Sequence, residues 1–254
     1  CFILSYVATF MWSPSNPKLY EVNISTSNDF ISDRIGFRHI YTEGKKIFLN
    51  GNPIKFKGIS MHAEPIGEAG PAFSKKHFQD LLRTSKDLNV NFVRAAHYPY
   101  SRHLAKVADE MGLLLWEEVP VYWNIDWSNP ETLNIANNQI SRLVERDWNR
   151  SSVGVWSIAN ETPFSDERME FLKNLLETIE LKDQSRLTTA ALLSGNEEQF
   201  KLLVLVLAIQ GINSEWVSSK EKFIFKSILS QANVTAEAKL NFSISIDDPL
   251  GELV

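Results

Sequence analysis

The sequence Ser-Ser-Val-Gly-Val-Trp-Ser-Ile-Ala-Asn-Glu, running from Ser151 to Glu161, decides the fold. Its apolar residues are mostly β-branched or aromatic and the run is too short for a typical helix, so it predicts a buried β-strand. Asn160 and Glu161 end the run, and Pro163 prevents further sheet pairing. Barrel enzymes place ionisable side chains at this end of a buried parallel strand. Glu161 is therefore a candidate catalytic residue, and the alternative is that it caps the following helix.

Three earlier segments repeat the same arrangement. Short apolar runs at Phe56–Ser60, Asn91–Ala96 and Leu113–Trp116 predict buried strands, and segments with a helical period of apolar residues separate them. A fifth strand is predicted at Arg186–Ala191. Strands that alternate with helices predict a parallel α/β sheet or barrel with right-handed connections. Polar residues follow each of the first four strands, which predicts a single mouth lined by His62, Glu64, His97, Glu118, Asn160 and Glu161.

The first part of the chain, residues 1–45, predicts only β-strands. Period-2 alternation gives a strand at Leu19–Ser25, and a second apolar run gives one at Arg34–Ile40. Just after this region, the turn at Asn50-Gly51 predicts a β-hairpin. These strands are too few to close a sandwich, so we expect the last strands of a β-domain that begins outside this sequence.

The last part of the chain has a weaker pattern. Helices are predicted at Lys201–Ala208 and Lys220–Leu229, and a strand at Asn241–Ile246. We expect residues 46–254 to hold at most about six of the eight strand–helix units of a full barrel. The predicted fold is therefore an incomplete (β/α)8 TIM barrel of the α/β class.

Composition excludes several classes of function. The net charge is −5 and the sequence has no long basic run, so nothing points to nucleic acid or to an anionic membrane as a partner. No segment offers the roughly eighteen uninterrupted apolar residues that a transmembrane helix needs. Cys1 is the single cysteine, which excludes an internal disulfide and leaves the compartment open.

Several motifs, in order, resemble glycoside hydrolase family 2, the β-galactosidase and β-glucuronidase family. Ile35–Arg38 together with Phe48–Pro53 resembles the family's junction between an immunoglobulin-like sandwich and a TIM barrel. The next segments resemble its first four barrel strands, and the fourth carries the acid/base signature: Phe56–His62, Val93–Pro99, Trp116–Glu118 and Trp156–Glu161. The resemblance runs from Trp12 to Ala191 and implies that residues 1–45 are the end of the immunoglobulin-like β-sandwich.

The resemblance implies a retaining exo-β-glycosidase that acts on β-glucuronides or β-galactosides and needs no cofactor or metal. Such enzymes use two carboxyl groups about 5 Å apart, one as acid/base and one as nucleophile. The residues that match the family pattern imply Glu161 as acid/base, Asn160 as a ligand of the sugar 2-hydroxyl, Arg94 as the group that orients the nucleophile, and His97, Glu118 and His62 as residues that reach sugar hydroxyls. The family's nucleophile ends its seventh barrel strand, so we expect it beyond Val254 and expect little activity from this chain alone.

Two other functions stay open at this point. An incomplete barrel could be an inactive carbohydrate-binding or scaffold remnant. A metal hydrolase using His62, Glu64 and His97 is also conceivable, although these residues lack the tight spacing typical of metal ligands. The sugar and the oligomeric state are not decided by the sequence.

Overall fold

The computed structural model describes residues 10–25, 28–44, 46–192, 209–212 and 226–227. Its main feature is a seven-stranded sheet in which every neighbouring pair is parallel except the last. In sheet order the strands are β6 (Gly58–Met61), β7 (Phe92–Ala95), β8 (Leu114–Glu118), β9 (Val153–Asn160), β10 (Leu187–Leu192), β11 (Ile209–Ile212) and β12 (Lys226–Ser227). The predicted parallel α/β sheet is therefore present.

Four helices connect the first five of these strands: α1 (Lys75–Asp87), α2 (His103–Met111), α3 (Pro130–Asp147) and α4 (Asp166–Lys182). Their ends follow local sequence chemistry. The Ser74 side chain accepts a hydrogen bond from the backbone N–H of His77 at the start of α1, and Ser165 caps α4 in the same way. Gly112 ends α2 at a φ of 71°, where a Cβ would lie 2.5 Å from the carbonyl oxygen of Pro14, so only glycine fits.

The sheet separates two hydrophobic cores. Phe92, Leu114 and Val155 point to the concave inner face, whereas Val93 and Leu115 point outward to the helices. This alternation is the period of an extended strand, and it decides which side chains can reach the inside of the barrel.

In the part of the chain that the structure describes, five short strands precede the barrel strands: β1 (Tyr20–Ser25), β2 (Phe30–Ile35), β3 (Ile40–Glu43), β4 (Lys46–Leu49) and β5 (Asn52–Ile54). The predicted hairpin joins β4 to β5, which pair antiparallel. Ile40, Ile47 and Leu49 pack into the inner core together with Trp12, which is fully buried. The division at residue 45 stays a prediction, and β3 pairs with β4 across it.

The predicted strand Arg34–Ile40 is wrong in its extent. Arg34 ends up near the end of β2, residues 36–39 form no strand, and Ile40 begins β3. Tertiary contacts override the local pattern here. A Cβ on Gly36 would lie 2.9 Å from Trp12 Cβ, and Arg38 donates hydrogen bonds to barrel carbonyl oxygens, including Ser185 O at 2.8 Å.

The C-terminal predictions have mixed outcomes. The strand predicted at Arg186–Ala191 is β10. The helix at 201–208 and the strand at 241–246 lie outside the described residues. Of the helix predicted at 220–229, only Lys226–Ser227 is described, and it is wrong there because these residues pair with β11. β11 has no clear strand signal in the sequence, since Ile209–Ile212 is short and contains a glycine.

Asp109 on α2 joins the segment before the barrel strands to the barrel itself. Its carbonyl oxygen accepts a hydrogen bond from Trp12 Nε1 at 2.9 Å. Its carboxylate accepts one from the backbone N–H of Ser152 at 2.7 Å and lies 3.3 Å from Arg150 Nη1. Burial outweighs these favourable contacts and raises the pKa of Asp109 to about 6.

We expect Asp109 to make the protein less stable as pH rises. Because the pKa in the folded state is raised, the stability gained from the bound proton is present below pH 4 and is lost as pH passes through about 6. The free energy of unfolding of Asp109→Asn, relative to that of the wild type, should therefore increase by about 1–3 kcal/mol when pH rises from 4 to 8. Urea unfolding at both pH values measures this difference. The exposed Asp87→Asn variant is the control, and an equal change in both variants would contradict the expectation.

Candidate functional site

Three polar side chains converge at the carboxyl ends of neighbouring strands. Arg94 on β7 donates from Nε to Glu118 Oε1 on β8 and from Nη2 to Asn160 Oδ1 on β9, each at 2.5 Å. All three residues are buried, with exposed fractions of 8%, 1% and 2%. The guanidinium also lies 4.9 Å from the centre of the Trp116 ring. Charged groups that are buried this deeply must be paired with an opposite charge, and the ion pair between Arg94 and Glu118 provides that pairing.

Strand alternation and one bulge bring the cluster together. Arg94 shares its face of β7 with Phe92, and Glu118 shares its face of β8 with Leu114, so both point into the barrel. On β9, the register against β10 shifts between Ser157 and Asn160. Bulges of this kind re-aim a side chain, and here the shift is what lets Asn160 meet Arg94.

His97 completes the cluster. Its Nδ1 lies 2.9 Å from Glu118 Oε2 and 3.2 Å from Arg94 Nη2. An arginine N–H can only donate and an ionised carboxylate can only accept, so one proton state cannot satisfy both contacts. The shorter contact to Glu118 indicates that Nδ1 carries the proton. Nε2 is then the nitrogen of His97 that can accept a hydrogen bond from a ligand.

His62 and Glu64 lie at the exposed rim. The His62 ring packs edge-on against His97, with ring centroids 5.5 Å apart, and also lies beside Tyr98. Glu64 is exposed. Within residues 10–192 and the other described parts, no group of three or more His, Cys, Asp or Glu is placed to hold a metal ion. The structure therefore gives the metal-hydrolase alternative no support.

Glu161 follows β9 directly, in the left-handed region at a φ of 51°. Its backbone N–H donates to Ala191 O at 2.9 Å. It does not cap the next helix, because Ser165 does so. Its carboxylate oxygen Oε2 accepts a hydrogen bond from Trp123 Nε1 at 3.1 Å. The side chain is partly exposed, so it lies at the mouth next to the buried cluster.

Trp123 and Tyr122, in the loop after β8, also belong to the site, although no sequence motif indicated them. Tyr122 forms an isolated parallel β-bridge with Asn160, and its ring centroid lies 6.3 Å from that of His97. The available signal was their position, two aromatic residues shortly after the Glu118 strand end. Without the fold, they could not be distinguished from aromatic residues of the core.

Glu117, the neighbour of Glu118, faces the other side of the sheet. It is 3% exposed, and burial together with the nearby Asp147 carboxylate raises its pKa well above the ordinary value. It therefore lies outside the candidate site, even though it adjoins Glu118 in the sequence.

A cavity of about 630 Å³ lies at the opposite end of the strands. Residues that precede β6 and β7, such as Lys57 and Asn91, line it together with the β4–β5 turn. Two asparagines that line the cavity already donate hydrogen bonds to backbone carbonyl oxygens, Asn50 Nδ2 to Trp12 O and Asn91 Nδ2 to Lys55 O. The cavity is separate from the Glu161 site.

Comparisons with known proteins give matches over most of the chain. Residues 40–221 match the family profile "Glycosyl hydrolases family 2, TIM barrel domain". A β-galactosidase of Thermoanaerobacterium thermosulfurigenes is 31% identical over 185 residues, which are 70% of this chain and 25% of that protein. A β-glucuronidase of Paenibacillus borealis is 31% identical over 197 residues, which are 69% of this chain and 32% of that protein. The chain thus spans about a quarter to a third of the length of these curated relatives.

A solved structure gives the same result for the fold. The family 2 β-galacturonidase of Eisenbergiella tayi, bound to galacturonate, superposes with a TM-score of 0.73 at 30% identity, covering 80% of this chain and 37% of that one. The resemblance found in the sequence is confirmed, and the α/β sheet is that of a TIM barrel domain. The chain belongs to the glycosyl hydrolases of family 2.

Proposed function

We propose that this chain carries the acid/base half of a retaining exo-β-glycosidase site that acts on β-glucuronides or β-galactosides. The observation that carries the proposal is the position of Glu161. Its partly exposed carboxylate directly follows Asn160, whose Oδ1 accepts a hydrogen bond from Arg94 Nη2 at 2.5 Å. The two curated relatives described above are a β-galactosidase and a β-glucuronidase. The β-galacturonidase structure extends the candidate glycosides to galacturonides.

Glu161 is proposed to donate a proton to the glycosidic oxygen as the bond to the anomeric carbon breaks. Asn160 is proposed to bind the sugar 2-hydroxyl, a contact that strengthens as the transition state gains positive charge. Because Asn160 Oδ1 accepts from Arg94, the amide orientation is fixed and its NH₂ group is the end that donates to the sugar. This chemistry requires no cofactor.

The geometry changes the role that we propose for Glu118. The sequence led us to expect that it reaches sugar hydroxyls. Its side chain is 1% exposed, and its two oxygens accept from Arg94 and contact His97. We therefore propose Glu118 as a positioning residue, while His97 Nε2 binds a sugar hydroxyl. His62 is proposed to contact the substrate from the rim.

The nucleophile is proposed to lie outside the described residues. A retaining mechanism needs a second carboxylate about 5 Å from the acid/base. Neither carboxylate that ends β8 can serve, because Glu118 has both oxygens engaged and Glu117 faces the helices. Because the resemblance implies a nucleophile beyond Val254, the purified chain is expected to show little hydrolysis by itself.

The test is a chromogenic assay of the purified 254-residue chain with 4-nitrophenyl β-glucuronide, β-galactoside and β-galacturonide. We expect a rate no higher than that of the matched Glu161→Gln variant. Turnover that Glu161→Gln abolishes would show that the chain already holds a nucleophile. Absence of turnover is also expected of an inactive carbohydrate-binding or scaffold remnant. Affinity labelling of Glu161 with an N-bromoacetyl β-glycosylamine distinguishes the acid/base role from this alternative.

A further inference from the structure

Trp123 has an unusual combination of exposure and contact. It is 64% exposed, although large aromatic side chains are ordinarily buried, and its indole Nε1 donates to Glu161 Oε2 at 3.1 Å. Tyr122 packs against it edge-on, with ring centroids 5.5 Å apart. An exposed flat ring therefore lies directly beside the candidate proton donor.

The loop holds this ring in place. Trp123 and Glu161 both have φ values in the left-handed region, 55° and 51°, which non-glycine residues rarely adopt. Two backbone hydrogen bonds fasten the loop to the end of β9, from Trp123 N to Asn160 O at 3.1 Å and from Asn160 N to Val121 O at 2.8 Å. Residues in unfavourable backbone conformations persist only where the surrounding structure fixes them, and they cluster at functional sites.

We propose that Trp123 is the binding surface for the leaving group of the substrate, and that it selects leaving groups with a flat apolar face. This inference rests on the proposed function of Glu161. An acid/base must lie beside the glycosidic oxygen, so a ring hydrogen-bonded to that carboxylate lies toward the leaving group. Aryl groups and the apolar face of a sugar share the chemistry that stacks on an indole.

The test uses β-thioglycosides, in which sulfur replaces the glycosidic oxygen, so that no turnover is required. Methyl, phenyl and glucosyl leaving groups are compared by isothermal titration calorimetry on the full chain, each with glucuronosyl, galactosyl and galacturonosyl glycones. We expect the phenyl compound to bind about 3- to 10-fold more tightly than the methyl compound. Trp123→Ala should reduce this ratio to about one, whereas Trp123→Phe should retain most of it because the ring remains. The glucosyl compound shows whether a sugar face is selected as well.

Two controls distinguish the possible failures. Trp148→Ala removes another exposed tryptophan, at the end of α3, and should leave the ratio intact. Asn160→Ala should weaken binding of all three compounds in parallel. If the phenyl compound binds no better than the methyl compound, or if the preference survives Trp123→Ala, the inference is overturned and the proposed function stands. If no thioglycoside binds, both are overturned.

Discussion

Replacing Arg94 with methionine is expected to lower the free energy of unfolding by about 3–5 kcal/mol, because the substitution leaves a buried carboxylate without its partner. Glu118 is 1% exposed, and Arg94 Nε donates to its Oε1 at 2.5 Å. Methionine packs like the aliphatic part of arginine but ends short of the guanidinium, so the charge and the donors are lost. Chemical denaturation at pH 7 measures the effect.

A second substitution separates charge from packing. In the Arg94→Met background, Glu118→Gln removes the unpaired charge and should restore roughly half of the lost stability. The surface pair Arg83–Asp80, with Arg83 64% exposed, provides a matched control, and Arg83→Met should cost only about 0–1 kcal/mol. If Arg94→Met were as mild as Arg83→Met, the cluster would be solvated and the proposed positioning role of Glu118 would lose its basis.

Much of the fold could be predicted because local chemistry and tertiary structure agree. The apolar run before Asn160 is a buried strand in any parallel sheet, and Ser74 and Gly112 mark helix ends for reasons that act within one turn. The strand order then implied that the polar residues after the strands lie at one edge. The structure brings Arg94, His97 and Asn160 together there.

The remaining features depend on contacts between distant segments. The prediction for Arg34–Ile40 failed because Gly36 packs on Trp12, which is remote in sequence. The burial of Glu118 follows from its pairing with Arg94 on another strand. The role of Trp123 depends on a loop that meets the end of β9, and the sequence shows no sign of that contact.

The second large effect concerns the reactivity of Glu161. In an N-bromoacetyl β-glycosylamine, the sugar carries a reactive carbon on the side of the leaving group. A carboxylate bound there displaces bromide and forms an ester, so the protein gains the mass of the sugar amide. No nucleophile of the enzyme is required, which allows the isolated chain to be tested. Because thiols react with bromoacetamides faster than carboxylates do, the experiment uses Cys1→Ser, and we expect one label per chain, on Glu161, with the glucuronosyl or the galactosyl reagent.

Four controls make the labelling specific. Glu161→Gln should remove the label from its peptide, and free glucuronic acid or galactose should slow the reaction. Asn160→Ala should slow it by about tenfold, the size expected when one hydrogen bond that aids binding is lost. The sugar-free reagent 2-bromo-N-methylacetamide reports the intrinsic reactivity of exposed carboxylates such as Glu64.

Peptide mapping by mass spectrometry after this labelling is the most direct measurement of whether a sugar-binding pocket presents Glu161 to the leaving group. In the Cys1→Ser chain, the proposed acid/base role predicts a single modified residue, Glu161, whose labelling free sugar slows and Glu161→Gln abolishes. Label spread over exposed carboxylates, at the same rate in Glu161→Gln and with free sugar present, would contradict it.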